Sequence, residues 1–207
     1  MAGRARRFGM MVLGLVTVVG TALAAGPSAT AAAAPEECGK GEFCLYETSE
    51  GGQVQRLTGQ VEGDCIPTSM TLADGTVQRA RMVTNRGDLR VVRFNSDDCS
   101  GKSAGSLPLF GTSVEDGGPK SFRPIACAID KICFWENENF SGTKVKLDYA
   151  DSCSPIGIEG RAVWNLDLRT VSTYEGWVCV GAGFRGNVAL GGLGSLTYPV
   201  NRISRAA

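Results

Sequence analysis

Histidine is absent from this chain of 207 residues. That gap removes Ser–His and Cys–His nucleophile activation and every imidazole metal site. No Cys-x2-Cys pair occurs either, so the thiolate half of a common structural zinc site is missing. An excess of positive charge is lacking too, since Lys+Arg and Asp+Glu both count 21. Phosphate neutralisation needs a basic face, so nucleic acid is not an expected partner. No stretch of a dozen residues holds a 3.6-residue apolar period bounded by helix caps.

The one long apolar run lies at the start. Arg4, Arg6 and Arg7 precede an apolar segment from Met10 to Ala24, and small residues follow through Ala31 to Ala34. This order predicts a secretory signal peptide over residues 1–34, cleaved before Pro35. The apolar run of about 15 residues falls short of the roughly 20 that span a bilayer. Removing it takes away three arginines and no acid, which leaves 18 basic against 21 acidic residues. The mature chain is expected to be secreted, monomeric and free of the membrane.

Eight cysteines form two sets with one spacing. Cys38, Cys44, Cys65 and Cys99 make the first set; Cys127, Cys133, Cys153 and Cys179 make the second. Each opens with Cys-x5-Cys, and each third cysteine is followed at +2 by proline, Pro67 or Pro155. A repeat this regular implies one structural unit used twice. Export makes disulfides the default reading. Eight cysteines allow on the order of a hundred pairings, and confinement within each set leaves three alternatives per set. The favoured pairs are Cys38–Cys44, Cys65–Cys99, Cys127–Cys133 and Cys153–Cys179. Each long bridge closes a loop worth roughly 3–4 kcal/mol in the chain-entropy model.

The remainder reads as short strands bounded by turn residues. Candidates are Phe43–Glu47, Gln53–Leu57, Leu89–Phe94, Ile132–Glu136, Lys144–Leu147 and Trp177–Gly181, rich in β-branched and aromatic residues. Residues 111–120 read as an exposed loop. With 28 glycines, the pattern predicts an all-β chain of two domains, residues 35–124 and 125–207, each a Greek-key sandwich.

The most specific stretch is Cys133-Phe-Trp-Glu-Asn-Glu-Asn-Phe-Ser-Gly142, in which an aromatic stands two residues before a glycine. Residues 178–186 repeat this with Phe184 before Gly186, and the paired hairpins resemble the Greek-key motifs of βγ-crystallin domains. Together with Cys-x5-Cys-Leu/Phe-Tyr/Trp-Glu after a signal peptide, they resemble the secreted bacterial peptidase-inhibitor family with a βγ-crystallin-like fold (metalloproteinase-inhibitor-like), present as two tandem copies. The first copy reads as degenerate. Glu50 or a gap stands opposite Phe140, Cys99 replaces Phe184 before Gly101, and Phe94 stands where Cys179 does.

The resemblance implies a peptidase inhibitor without catalytic residues of its own, and an extracellular protease as partner. With no imidazole and no free thiol to reach a catalytic zinc, inhibition is expected to be steric. A rigid loop would fill the cleft, with Ala128, Ile129, Asp130, Lys131 and Ile132 as the candidate. No cofactor is required. The family also implies calcium, with remnants of a hard-oxygen stretch at Asp167, Thr170, Asn201 and Ser204; in the first copy residues 78–82 put cations at the aligned position. The alternative is a secreted binding or toxin-like module, for cell wall or calcium, without inhibitory activity. Arg86-Gly87-Asp88 reads as ordinary turn chemistry rather than an adhesion ligand. The acid pairs Glu136/Glu138 and Asp97/Asp98 read as solvated surface rather than glycosidase carboxylates. Trp135, Trp164 and Trp177 read as core aromatics rather than sugar platforms.

Overall fold

The computed structural model describes residues 37–114, 119–148 and 152–206; the expected signal peptide and its cleavage point lie outside the described residues. Among the described residues, sixteen strands follow one another. The first repeat carries β1 (Phe43–Thr48), β2 (Gly51–Leu57), β3 (Ile66–Pro67), β4 (Ser69–Thr71), β5 (Val77–Arg79), β6 (Met82–Asn85), β7 (Arg90–Phe94), β8 (Ser103–Leu107), β9 (Gly111–Val114) and β10 (Ser121–Ile125). The second carries β11 (Ile132–Trp135), β12 (Lys144–Leu147), β13 (Ser154–Asn165), β14 (Val171–Tyr174), β15 (Phe184–Val188) and β16 (Leu193–Arg205). The chain is all-β in two repeats, and the cysteines pair Cys38–Cys44, Cys65–Cys99, Cys127–Cys133 and Cys153–Cys179.

Two antiparallel sheets make the first repeat, in the orders β2-β1-β6-β9 and β3-β10-β7-β8. In each half the fourth strand returns beside the first, and the third crosses to the facing sheet; that is a Greek-key connection with exchanged strands. Alternation fills the space between the layers. Phe43 and Leu45 of β1 meet Val91 of β7, Leu107 of β8 and Phe122 of β10, with the Phe43 and Phe122 rings edge to face at 5.2 Å.

The second repeat has the same plan with fewer breaks. Its strands form one sheet in the order β12-β11-β13-β16-β14-β15. β13 and β16 are long enough to serve both layers: the start of β13 pairs with the end of β16, and the reverse, with register shifts between Pro155 and Ala162. In the first repeat β3 and β6 do the work of β13, and the β4–β5 hairpin is inserted between them. Ile132, Phe134, Ile156, Val163, Val171, Val200 and Ile203 fill this second core.

Pairing registers correct three alignments made from sequence. Ser121 faces Phe94 in the first repeat as Arg202 faces Tyr174 in the second. Phe94 therefore matches Tyr174, and Cys99, five residues on, matches Cys179: no cysteine has moved. Gly105 pairs with Arg93 as Gly186 pairs with Thr173, so Gly105, not Gly101, is the partner of Gly186, and Ser103 stands where Phe184 does. Asn85 pairs with Phe43 as Asn165 pairs with Ile132, so residues 85–89, not 78–82, match residues 165–169. Cysteine spacing misled the alignment because the inserted hairpin and a loop one residue shorter shift the count. Two elements also differ from expectation. Residues 177–181 are a loop and a 3-10 turn rather than a strand. Residues 111–114 are β9, hydrogen-bonded to β6, rather than loop; residues 115–118 lie outside the described residues.

Residues 33–207 form one compact unit, because the repeats share a buried seam. Val92, Phe94, Cys99 and Ile125 of the first pack on Cys133, Trp135, Phe140, Ala162 and Trp164 of the second. All residues of β10 and β11 are buried on both faces, one toward their own core and one toward the seam. Polar contacts fix the turn that carries Phe140. Arg123 donates to the Asn139 carbonyl at 2.8 Å, and the Asn139 amide donates to the Cys99 carbonyl at 3.0 Å. Ser195 donates to the Glu138 carbonyl at 2.5 Å and accepts the Ser103 N–H at 2.9 Å. Burial pushes the Arg123 guanidinium below its ordinary pKa, and the Phe94 ring lies 5.8 Å from it. Lys144 and Glu62 close the rim at 2.5 Å.

Candidate functional site

The loop between β14 and β15, residues 175–183, is where buried scaffold and exposed apolar surface meet. Glu175 N–H donates to the Gly183 carbonyl at 2.8 Å, and Gly183 N–H to the Val180 carbonyl at 3.3 Å. A side chain at position 183 would meet the Glu175 carbonyl oxygen at 2.5 Å, so the ring closes only on glycine. Cys179 ties the loop to Cys153 at the start of β13. Arg185 holds the Glu175 carboxylate through its Nε at 2.9 Å and a second nitrogen, and the guanidinium lies 5.2 Å from the Tyr198 ring. Tyr174 and Phe184 stack edge to face beneath the loop at 5.7 Å.

The tip of this braced loop is apolar and open. Trp177 is 87% exposed, Val178 58% and Val180 67%. Beside Trp177 runs a shallow groove lined by Pro155, Gly157, Glu159, Asn201 and Arg202. Exposed apolar side chains on backbone that cannot relax are costly in water and gain most from a partner's cleft.

The loop proposed from sequence divides into two parts. Ala128, Ile129 and Asp130 form an exposed tip, with Ile129 at 80% exposure and Asp130 at a φ of 62°. Lys131 is committed elsewhere. Its carbonyl accepts the Leu166 N–H at 2.9 Å, its amine pairs with Asp148, and that hydrogen bond raises its pKa. Ile132 is wholly buried in the second core, so the segment cannot enter a cleft as a whole.

The calcium stretch falls at separate places. Asp167 is buried and accepts the Arg169 N–H at 3.1 Å. Ser204 lies opposite Ser172, and the Thr170 carbonyl accepts the Ala206 N–H. Asn201 lines the groove near Trp177, at the far end of β14. In the Arg86-Gly87-Asp88 turn, the Gly87 N–H donates to the Asn85 side chain at 3.1 Å, as the Asp167 N–H donates to Asn165 at 3.0 Å. Each asparagine amide in turn donates to carbonyls across the loop end, Asn85 to Leu89 and Pro108, Asn165 to Arg169 and Val188. The tripeptide is the first repeat's version of a structural turn.

Other sequence candidates are spoken for. Glu136 accepts the Thr143 N–H at 3.1 Å, and Glu47 accepts the equivalent Gln53 N–H at 3.1 Å. Asp97 pairs with Arg79 at 3.1 Å, and Asp98 accepts the Ser100 N–H at 3.1 Å. Trp135 and Trp164 are buried in the seam; Trp177 alone of the three tryptophans is exposed.

The model of peptidase inhibitor family I36 matches the chain twice, over residues 31–106 and 120–185. The chain belongs to peptidase inhibitor family I36. Its two matches agree with the two structural repeats, and membership makes this I36 chain a peptidase-binding protein rather than an enzyme. No curated protein matches it. Both family matches span the loop that holds the fourth cysteine, residues 95–102 in the first repeat and 175–183 in the second. Strand composition hid the second loop in the sequence, since Trp-Val-Cys-Val reads as β. The signal that could have found it is Glu175-Gly176 before and Gly181-Ala-Gly183 after, glycine on both sides of a disulfide cysteine.

Proposed function

We propose that this protein is exported and, as a monomer of residues 35–207, blocks an extracellular peptidase by steric occupation of its cleft with the loop at residues 175–183. The observation that carries the reading is the coincidence of exposure and bracing. Trp177, Val178 and Val180 are open to solvent, while a disulfide, two backbone hydrogen bonds and an ion pair fix the backbone that bears them. A loop already held in one shape loses little conformational entropy on binding, and a tryptophan at its tip is the commonest kind of energetic anchor. The matching peptidase prefers bulky apolar side chains. The test is a titration of mature protein against a thermolysin-like and a subtilisin-like peptidase. Inhibition of either at submicromolar protein supports the reading, and full activity of both at micromolar protein overturns it.

A further inference from the structure

The first repeat contains a loop homologous to the one just described, and its chemistry is opposite. The register that matches Phe94 to Tyr174 puts Asp97 where Trp177 stands, Asp98 where Val178 stands and Ser100 where Val180 stands, with Cys99 opposite Cys179. The apolar tip of one loop is thus a pair of carboxylates and a hydroxyl in the other. Both carboxylates are used within their own repeat: Asp97 pairs with Arg79, and the Ser100 side chain and N–H hold the Asp98 carboxyl below its usual pKa range. An apolar cleft offers such groups no compensation for lost hydration.

The same loop is also committed to the seam. Cys99 is fully buried; its N–H donates to Ser121 Oγ at 3.1 Å and its carbonyl accepts the Asn139 amide from the second repeat at 3.0 Å. Immediately after the loop, the Ser103 N–H donates to Ser195 Oγ. Position 103 is where the second repeat has Phe184, so the aromatic that backs the apolar loop is replaced by a residue that binds the neighbour. In the second repeat the corresponding loop makes its backbone bonds to itself and faces solvent.

We infer that the repeats have divided the labour: the loop at residues 95–102 is the seat on which the second repeat docks, and the chain engages one peptidase molecule through residues 175–183 only. The inference rests on the inhibitory reading above and adds a stoichiometry and a role for the first repeat that the doubled family match does not supply. A duplicated inhibitor would by default take two peptidases; this one takes one.

The experiment is an active-site titration of the peptidase inhibited in the preceding test, with the full mature chain and two surface variants. Wild-type protein is expected to reach complete inhibition at one chain per peptidase, with a single complex of that mass by light scattering. Trp177→Asp with Val180→Ser, which gives the second loop the first loop's chemistry, is expected to weaken inhibition about 100-fold, as loss of a central aromatic anchor does. Asp97→Ala with Asp98→Ala is expected to leave it unchanged. All four positions are at the surface, and an unaltered melting temperature shows that each variant is folded. An endpoint of two peptidases per chain, or half the inhibitory capacity surviving in the Trp177/Val180 variant, overturns the division of labour while leaving the inhibitory reading intact. Absence of inhibition by wild-type protein sinks both.

Discussion

Phe140 and Phe184 occupy the same motif position, two residues before Gly142 and Gly186, and substitution by alanine separates them. Phe140 is 1% exposed and packs edge to face on Trp135 at 5.1 Å within the seam. Phe184 is 44% exposed and packs on Tyr174 at the surface. Truncating a buried phenylalanine costs about 4 kcal/mol, of which about 1 kcal/mol belongs to the ring pair. The left-handed φ of 60° at Phe140 drops out of the difference, since alanine is strained there much as phenylalanine is. A half-exposed ring at the sheet surface loses about 1 kcal/mol by the area it covers. For a body of this size each kcal/mol shifts the melting temperature by about 2–4 °C, so Phe140→Ala is expected to lower it by about 8–16 °C and Phe184→Ala by about 2–4 °C. The assay is urea and thermal unfolding of the oxidised protein followed by tryptophan fluorescence, because Trp135 and Trp164 report from the seam itself. Phe140→Ala should also split a single transition into two as the repeats uncouple. Equal losses for the two variants, or a loss below about 1 kcal/mol for Phe140→Ala, would falsify the shared core.

Three further outcomes follow from separate features. The Cys153–Cys179 bridge is the one in which neither cysteine is buried, and the Arg202 guanidinium lies 4.0 Å from Cys153 Sγ, where it stabilises a departing thiolate; under limiting dithiothreitol, alkylation and peptide mapping should find these two thiols first, with inhibition falling in step, and early labelling of Cys133 or Cys99 would contradict it. Asn165→Ala leaves several buried carbonyls without a donor and should cost about 2–3 kcal/mol in chemical denaturation, whereas Asp88→Ala in the Arg-Gly-Asp turn should stay within about 0.5 kcal/mol; integrin-type cell adhesion abolished by Asp88→Ala would contradict the structural reading of that turn. The Glu136 carboxyl is held below its usual range by the Thr143 N–H and then its hydroxyl, so its contribution is complete above the ordinary carboxylate pKa and disappears as the pH falls through the lowered folded value. Melting curves of Glu136→Gln against wild type should therefore converge on acidification, and divergence would refute the assignment.

Much of the fold was legible because it is written in local chemistry. The cysteine spacing gave two units and the favoured pairs, since a Cys-x5-Cys loop before a strand returns on itself. Runs of β-branched and aromatic residues between turn residues gave β1, β11 and β12 their positions within a residue or two. β13 and β16 were not recognised because each bends from one layer to the other, and glycine and proline at the bends, such as Pro155, Gly157 and Gly160, read as ends of strands. Trp177–Gly181 was read as a strand because β propensity measures fit to a half-buried surface, and here no neighbouring strand supplies one.

What the sequence by itself determined is the class of molecule: an all-β, disulfide-closed, twice-repeated chain without histidine, carrying the marks of a peptidase inhibitor. Those properties follow from which residues are present and how they are spaced. Tertiary structure alone decided which of two homologous loops is tied into the seam, which of two equivalent phenylalanines is core, and that Trp135 and Trp164 are spent on the seam while Trp177 is exposed. The reason is physical. Burial depends on what packs across from a residue, and for the seam that partner lies in the other repeat, at a distance along the chain that no local pattern encodes.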